Sequence, residues 1–187
     1  MAFEPADNAP RNHIEEYDWL DPKYNYASEA SCGRIFVSEQ PLPDKLSIYI
    51  SPFDTDDAYA FRDSLYMDLT LMDLQGNVIM DGLQSDVFWE ANEASKFMKS
   101  YTVEFRESHF TPTGIAYIRR DGKYGIIDRD GNLLFDFTLD MWEFCKGYLG
   151  DQGYVIAYMD GAHIIFDPYG GIYSDFRQVQ QQYTDYL

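Results

Sequence analysis

The sequence predicts a mainly β fold, an antiparallel meander of hairpins, and three observations predict it. Among the 187 residues are 16 Tyr and 13 Phe, types that favour strands and half-buried surfaces. Asp-Gly pairs at Asp121-Gly122, Asp130-Gly131 and Asp160-Gly161 flank short apolar runs. Asp-Gly is the strongest short hairpin signal, because the turn needs positive φ that Gly adopts with little steric cost and Asp tolerates. The pattern also recurs: Gly122 and Gly161, Asp128 and Asp167, and Gly131 and Gly170 are each 39 residues apart.

Taken in order, residues 1–32 read as an irregular acidic arm. They mix Pro, Asn, Asp and Glu with the isolated rings of Tyr17, Trp19, Tyr24 and Tyr26, and no period of 2 or 3.6 is sustained. From Gly33 to Leu187 the pattern reads as a single β-rich domain. Arg34 to Val37 is a short β-type run, Gln40 to Asp44 breaks it, and Leu46 to Ile50 alternates as a strand should. Leu65 to Asp73, the turn Leu74-Gln75-Gly76-Asn77, and Val78 to Gly82 make a hairpin. Between Ser85 and Ser100 the good helix formers Glu90, Ala91, Glu93, Ala94, Lys96 and Met98, with Ser85 or Asp86 as N-cap, predict one short inserted helix. Tyr101 to Arg106 returns to period 2, and Thr111 to Gly114 punctuates.

Two similar meanders follow. Strands at Ile115–Arg119, Tyr124–Asp128 and Leu133–Phe135 are matched by Tyr154–Tyr158, Ile164–Asp167 and Ile172–Tyr173. Repeat-like units are expected at about 65–82, 114–150 and 154–176. The interval from Asp73 to Asp128 is 55 rather than 39, and the inserted helix is expected to supply the excess. Phe176, Val179 and Tyr183 fit one face of a short C-terminal helix capping the last unit.

The strongest compositional feature is charge: 32 acidic against 14 basic residues, net −18. It is dispersed, with 12 acids and 4 bases in residues 1–60, 9 and 4 in 61–110, and 11 and 6 in 111–187. Such a field repels nucleic-acid phosphate and anionic lipid, and steers a basic protein inward. Cys32 and Cys145 lie far apart without metal-type spacing, so neither a disulfide framework nor a zinc site is expected. The first residues lack a basic and then apolar leader pattern, and no run approaches 18 apolar residues, which together predict a cytoplasmic protein.

Chemistry-bearing constellations are few. Asp128-Arg129-Asp130-Gly131-Asn132 resembles the opening of a calcium loop, yet the twelfth position is Leu139 where a bidentate Glu is needed; the turn reading wins. His13, His109 and His163 are scattered, and no nucleophile elbow, metalloprotease helix or phosphate loop is present. Neither a cofactor, a metal nor a catalytic residue is assigned. Asp54, Asp56 and Asp57 form a dense acidic cluster, while Phe88-Trp89-Glu90 and Trp142-Glu143-Phe144 set rings beside carboxylates. That composition suits Arg and Lys side chains through cation–π and ionic contacts. The candidate partner-binding residues are therefore Asp54, Asp56, Asp57, Trp89, Glu90, Trp142, Glu143 and Phe144. The alternative is a loop-based enzyme or small-ligand or metal-binding β domain with its site around His109 or Asp54 to Asp57.

Lys123-Tyr124-Gly125-Ile126-Ile127-Asp128-Arg129-Asp130-Gly131-Asn132-Leu133-Leu134, followed by Asp140, Phe144 and Lys146-Gly147-Tyr148-Leu149, resembles the bacterial WG repeat. Residues 114–150 carry the resemblance and 154–176 carry part of it. Tyr124 stands where the family has Trp, and His163-Ile164 and Leu69-Thr70 stand where Trp-Gly would be. The resemblance implies antiparallel hairpin repeats of WG-repeat type, acting in protein interaction without catalytic residues or a cofactor. Together with the charge, this leads to an expected function: a non-enzymatic acidic module, of inhibitor or immunity type, that neutralises a basic partner such as a nucleic-acid-acting toxin.

Overall fold

The computed structural model describes residues 11–43, 46–50, 66–92, 99–145 and 148–173. Among them the chain is mainly β with antiparallel strands. Its helical content is a 3-10 turn at Ile14–Glu16 and one α turn, α1 (Tyr148–Asp151). The chain divides into two units, Met1–His109 and Phe110–Leu187, whereas the sequence reading placed its one boundary at Gly33.

The first unit contains β1 (Tyr26–Ala27), β2 (Arg34–Ser38), β3 (Leu46–Ile50), β4 (Asp68–Asp73), β5 (Val78–Gln84), β6 (Asp86–Asn92) and β7 (Lys99–Arg106). Strands β1, β2, β4 and β5 lie side by side in that order. Ile35, Phe36 and Val37 of β2 are fully buried, as an unbroken apolar run requires of an interior strand. Tyr17, Leu20, Tyr24 and Ala27 pack with Ile35, Val37 and Met72. The polar-looking segment before Gly33 thus contributes rings to the core, which offsets the entropy of ordering an irregular backbone. The Tyr17 hydroxyl donates to the Ser28 carbonyl, and Ser28 Oγ accepts from the Phe36 amide, so the buried polar groups there are satisfied.

The expected helix between Ser85 and Ser100 is corrected. Asp86–Asn92 and Lys99–Arg106 are strands, paired from Asp86↔Arg106 to Asn92↔Ser100. Helix propensity separates ordinary residues by only a few tenths of a kcal/mol each. Val87, Phe88 and Trp89 are β-favouring residues, and the ladder to β7, in which Val87 is opposite Phe105 and Trp89 opposite Val103, pairs the backbone of both segments. Residues 93–98, where Ala94, Lys96 and Met98 lie, fall outside the described residues, as does the expected C-terminal helix around Phe176, Val179 and Tyr183.

Strand β7 also pairs with β3, giving a second sheet in the order β3-β7-β6. Its registers run from Leu46↔Val103 to Ile50↔Lys99 between β3 and β7, and from Asp86↔Arg106 to Asn92↔Ser100 between β6 and β7.

The second unit contains β8 (Ile115–Arg120), β9 (Lys123–Asp128), β10 (Leu133–Leu139), β11 (Met141–Phe144), β12 (Val155–Met159), β13 (Ala162–Phe166) and β14 (Ile172–Tyr173). Strands β8, β9 and β10 are neighbours, and β11-β12-β13-β14 form a four-stranded sheet. Leu139 still pairs with Tyr124 of β9, while Met141 pairs with Tyr158 of β12. Asp140 is therefore the residue at which the chain passes from one sheet to the other. Ile115, Tyr117, Tyr124, Ile126 and Leu139 pack against Val155, Ala157 and Phe166 to form the core between them.

Two kinds of turn organise these strands. Asp121-Gly122 and Asp160-Gly161 have positive φ at both residues, as tight two-residue hairpins require. The other kind is a five-residue loop. Asp128 Oδ1 accepts the amides of Asp130 and Asn132, its Oδ2 accepts Asn132 Nδ2, and its carbonyl accepts the Gly131 amide. Asp73 makes the same bonds to Gln75, Asn77 and Gly76. Asp167 does so with Tyr169, Gly171 and Gly170, with the Tyr173 hydroxyl in place of the amide side chain. These are Asx turns, in which a carboxylate takes the place of a backbone acceptor. Thr111 begins a fourth loop of related form: its amide and hydroxyl both donate to the Ile115 carbonyl, and its carbonyl accepts the Gly114 amide.

Gly125 serves a different purpose. A Cβ at this position would lie 3.0 Å from the Phe135 carbonyl oxygen and from Phe137 Cδ1. Its lack of a side chain lets the Phe137 ring lie across β9, where the Arg120 guanidinium sits 4.8 Å from the ring centroid.

Candidate functional site

Five of the eight candidate residues are described, two on β6 of the first unit and three on β11 of the second. Asp54, Asp56 and Asp57 lie outside the described residues. Trp89 and Glu90 are on β6, an outer strand of the β3-β7-β6 sheet, opposite Val103 and Thr102 respectively.

Trp142, Glu143 and Phe144 are brought together on β11, the outer strand of the second unit's four-stranded sheet. Cys145 donates its amide to the Tyr154 carbonyl, continuing the β11–β12 register by which Phe144 opposes Val155. Trp142 stacks on Tyr117 at 4.5 Å between centroids and 22° between planes. Phe144 meets Trp142 edge-on at 5.5 Å. The stacked ring fixes Trp142, while Phe144 is half-exposed and Met141 and Glu143 are exposed. Sequence reasoning did not single out Met141, although period 2 puts it on the face of Glu143.

Beneath this strand the Tyr117 hydroxyl and the Trp142 indole N–H are buried without a protein partner among the described residues. Burial raises the Tyr117 pKa, and the Asp167 carboxylate and Cys145 raise it further. The Cys145 thiol is likewise pushed up, first by burial and then by Glu143. Neither group is adapted to ionise near neutrality.

The remaining polar contacts are braces. Lys123 Nζ bonds Asp140 Oδ1, and Asp140 Oδ2 accepts the Asp160 amide at 3.0 Å, so one carboxylate ties the sheet crossover to the Asp160-Gly161 hairpin. These bonds, Lys123 first, lower the Asp140 pKa, and Asp140 in turn raises that of Lys123. In the first unit His13 Nδ1 lies 2.7 Å from Glu16 Oε1 and His13 Nε2 lies 3.9 Å from Glu107 Oε1. Glu107 also accepts the Glu29 amide. His109 Nδ1 is 3.1 Å from the Glu107 carbonyl oxygen, and His163 is exposed on β13. Among the described residues no group of three or more His, Cys, Asp or Glu is placed to hold a metal ion, and no helix is long and apolar enough to cross a membrane.

Family models, curated proteins and solved structures were all compared with this chain, and none matches it.

Proposed function

We propose that the chain is a non-enzymatic, acidic protein-binding module, an inhibitor or immunity-type protein that acts in the cytoplasm. In this reading it neutralises a basic partner such as a nucleic-acid-acting toxin, and its framework is a set of WG-type β repeats. The observation that carries the reading is strand β11. An outer strand with half-exposed Phe144 beside Trp142 on one face and exposed Met141 and Glu143 on the other, anchored by Trp142 on Tyr117, offers aromatic and anionic contacts from one edge. Arg side chains are the natural complement, through cation–π and charge-assisted contacts. The net charge of −18 would speed their approach.

The recurring Asp loops support the repeat reading. Arg34↔Asp73 and Ile35↔Met72 in the first unit have the same relation to their loop as Ile115↔Asp128 and Ala116↔Ile127 in the second. The connection from β2 to β4 and the β6–β7 hairpin are then insertions into a common scheme, and the two insertions build the β3-β7-β6 sheet.

The experiment is affinity capture from a lysate of the source cell across a salt series, with wild type and a Met141→Ser/Phe144→Ser variant. One basic protein should be retained stoichiometrically at low salt, be released at high salt and lose its activity when bound. The variant should retain less of it. Saturable thermal stabilisation by a metabolite or metal ion, with no stoichiometric protein partner, would sink the proposal in favour of a ligand-binding domain.

A further inference from the structure

The Asp loops share a feature that their hydrogen bonding does not need. The fifth residue after each loop aspartate is aliphatic and about half exposed: Val78 at 56%, Leu133 at 48% and Ile172 at 57%. A single exposed aliphatic residue is ordinary. Three at one turn position are a surface pattern. In the second unit two of these loops adjoin. Leu134, 43% exposed, reaches the third loop, its Cδ1 lying 3.5 Å from where a Gly170 Cβ would stand. Tyr169, the most exposed large hydrophobic residue among those described in this unit at 74%, and Ile172 flank that contact. Thr113 Oγ1 donates to the Pro168 carbonyl and fixes the loop from the other side. The patch is therefore carried on turns held by side-chain and backbone hydrogen bonds.

Its rim is acidic. Asp130 precedes Leu133 by three residues, Asp136 follows Leu134 by two, and both are exposed. Asp151 is exposed two residues before Gly153, which packs against Pro168 of the same loop. A second copy of this chain is a poor occupant, because two molecules of net charge −18 would meet with like sign. The same field disfavours an anionic lipid surface.

We infer that Leu133, Leu134, Tyr169 and Ile172 form a docking surface for a basic protein segment that carries aliphatic side chains between its lysines or arginines. The inference rests on the proposal of a basic partner, and it assigns a contact surface separate from β11. Aliphatic anchors fill the patch, and the cations meet Asp130, Asp136 and Asp151 at its edge.

The test uses the full chain and two seven-residue fluorescent peptides of equal charge, one alternating Leu with Lys and the other alternating Ser with Lys. Fluorescence anisotropy should show the Leu-containing peptide binding about tenfold more tightly, as expected for moving two or three half-exposed aliphatic side chains out of water. Leu134→Ser/Ile172→Ser should abolish that preference, while Met141→Ser/Phe144→Ser should leave it in place. Thermal unfolding of both variants verifies that the exposed substitutions preserve the fold. Loss of the preference in the β11 variant alone, or equally in both, would overturn the assignment of this patch and leave the basic-partner reading intact. If neither peptide binds in a salt-sensitive way, that reading fails and the inference falls with it.

Discussion

Gly125→Ala tests how β9 and β10 are fitted together. The φ of Gly125 is not in the positive region, so alanine meets no backbone strain there. Reduced freedom of the unfolded chain would by itself stabilise by about 0.4–1 kcal/mol. The opposing term is steric. The new methyl would sit 3.0 Å from the Phe135 oxygen, 3.0 Å from Phe137 Cδ1 and 3.2 Å from Cε1, against a comfortable carbon–carbon separation of about 3.5–4.0 Å. Overpacking of this kind costs roughly 1–3 kcal/mol, so the net loss should be about 1–2 kcal/mol. Urea unfolding followed by Trp fluorescence should show it, with a fall in Tm of roughly 2–8 °C. The decisive measurement is a double-mutant cycle with Phe137→Ala. Removing the ring opens one side of the site, so Gly125→Ala should cost about 1 kcal/mol less in that background. Additivity within about 0.5 kcal/mol would refute the close approach of Phe137 to β9.

Other predictions follow from the same geometry. Asp128→Ala should destabilise by about 1–2 kcal/mol, the scale of losing a helix cap, while Asp128→Asn should cost less because its carbonyl still accepts both backbone amides; equal losses would contradict the Asx turn. Burial raises the Asp128 pKa, but hydrogen bonds from Asn132 and the Asp130 amide outweigh it and hold the carboxyl below the usual range. A depressed folded pKa gives stability that is present above about pH 4 and lost on acidification, so Asp128→Asn should flatten the acid limb of the stability–pH curve. Tyr26 and Tyr117 are raised chiefly by burial, so their contribution is full below about pH 10 and lost above it; tyrosinate absorbance for these two should appear only with unfolding. Tyr117→Phe should be neutral or stabilising by up to about 1 kcal/mol, since the hydroxyl has no partner among the described residues; a clear loss would show that it is bonded. In the native chain a thiol reagent should modify exposed Cys32 rapidly and buried Cys145 only on unfolding.

The hairpins were legible because their signals are local. Asp-Gly pairs fix φ within a few residues, and the tight turns at Asp121-Gly122 and Asp160-Gly161 stand where the sequence placed them, whereas at Asp130-Gly131 the turn is the five-residue loop that Asp128 begins. The strands from Asp86 to Arg106 were not legible, since their pairing partner lies in a distant segment and local propensity points to a helix. Tyr17 and Tyr24 gave only a partial signal: isolated rings in a polar stretch mark an anchor without revealing that Ile35, Val37 and Met72 receive it. At the candidate site, Trp142, Glu143 and Phe144 are adjacent in sequence and share strand β11, but the stacking of Trp142 on Tyr117 across elements has no local signal.

The pairing of β3 with β7 has a kinetic consequence. Leu46 meets Val103, 57 positions later, whereas β4 and β5 or β8 and β9 are joined by a few residues. During synthesis β3 leaves the ribosome with no strand to pair with until β7 has followed it. The short hairpins can close in microseconds, but this sheet must wait for a long loop to close. The interval leaves an unpaired Leu-Ser-Ile-Tyr-Ile segment exposed to other nascent chains. A chaperone that shields extended apolar segments would therefore be expected to bind this protein at β3, early and only until β7 is made.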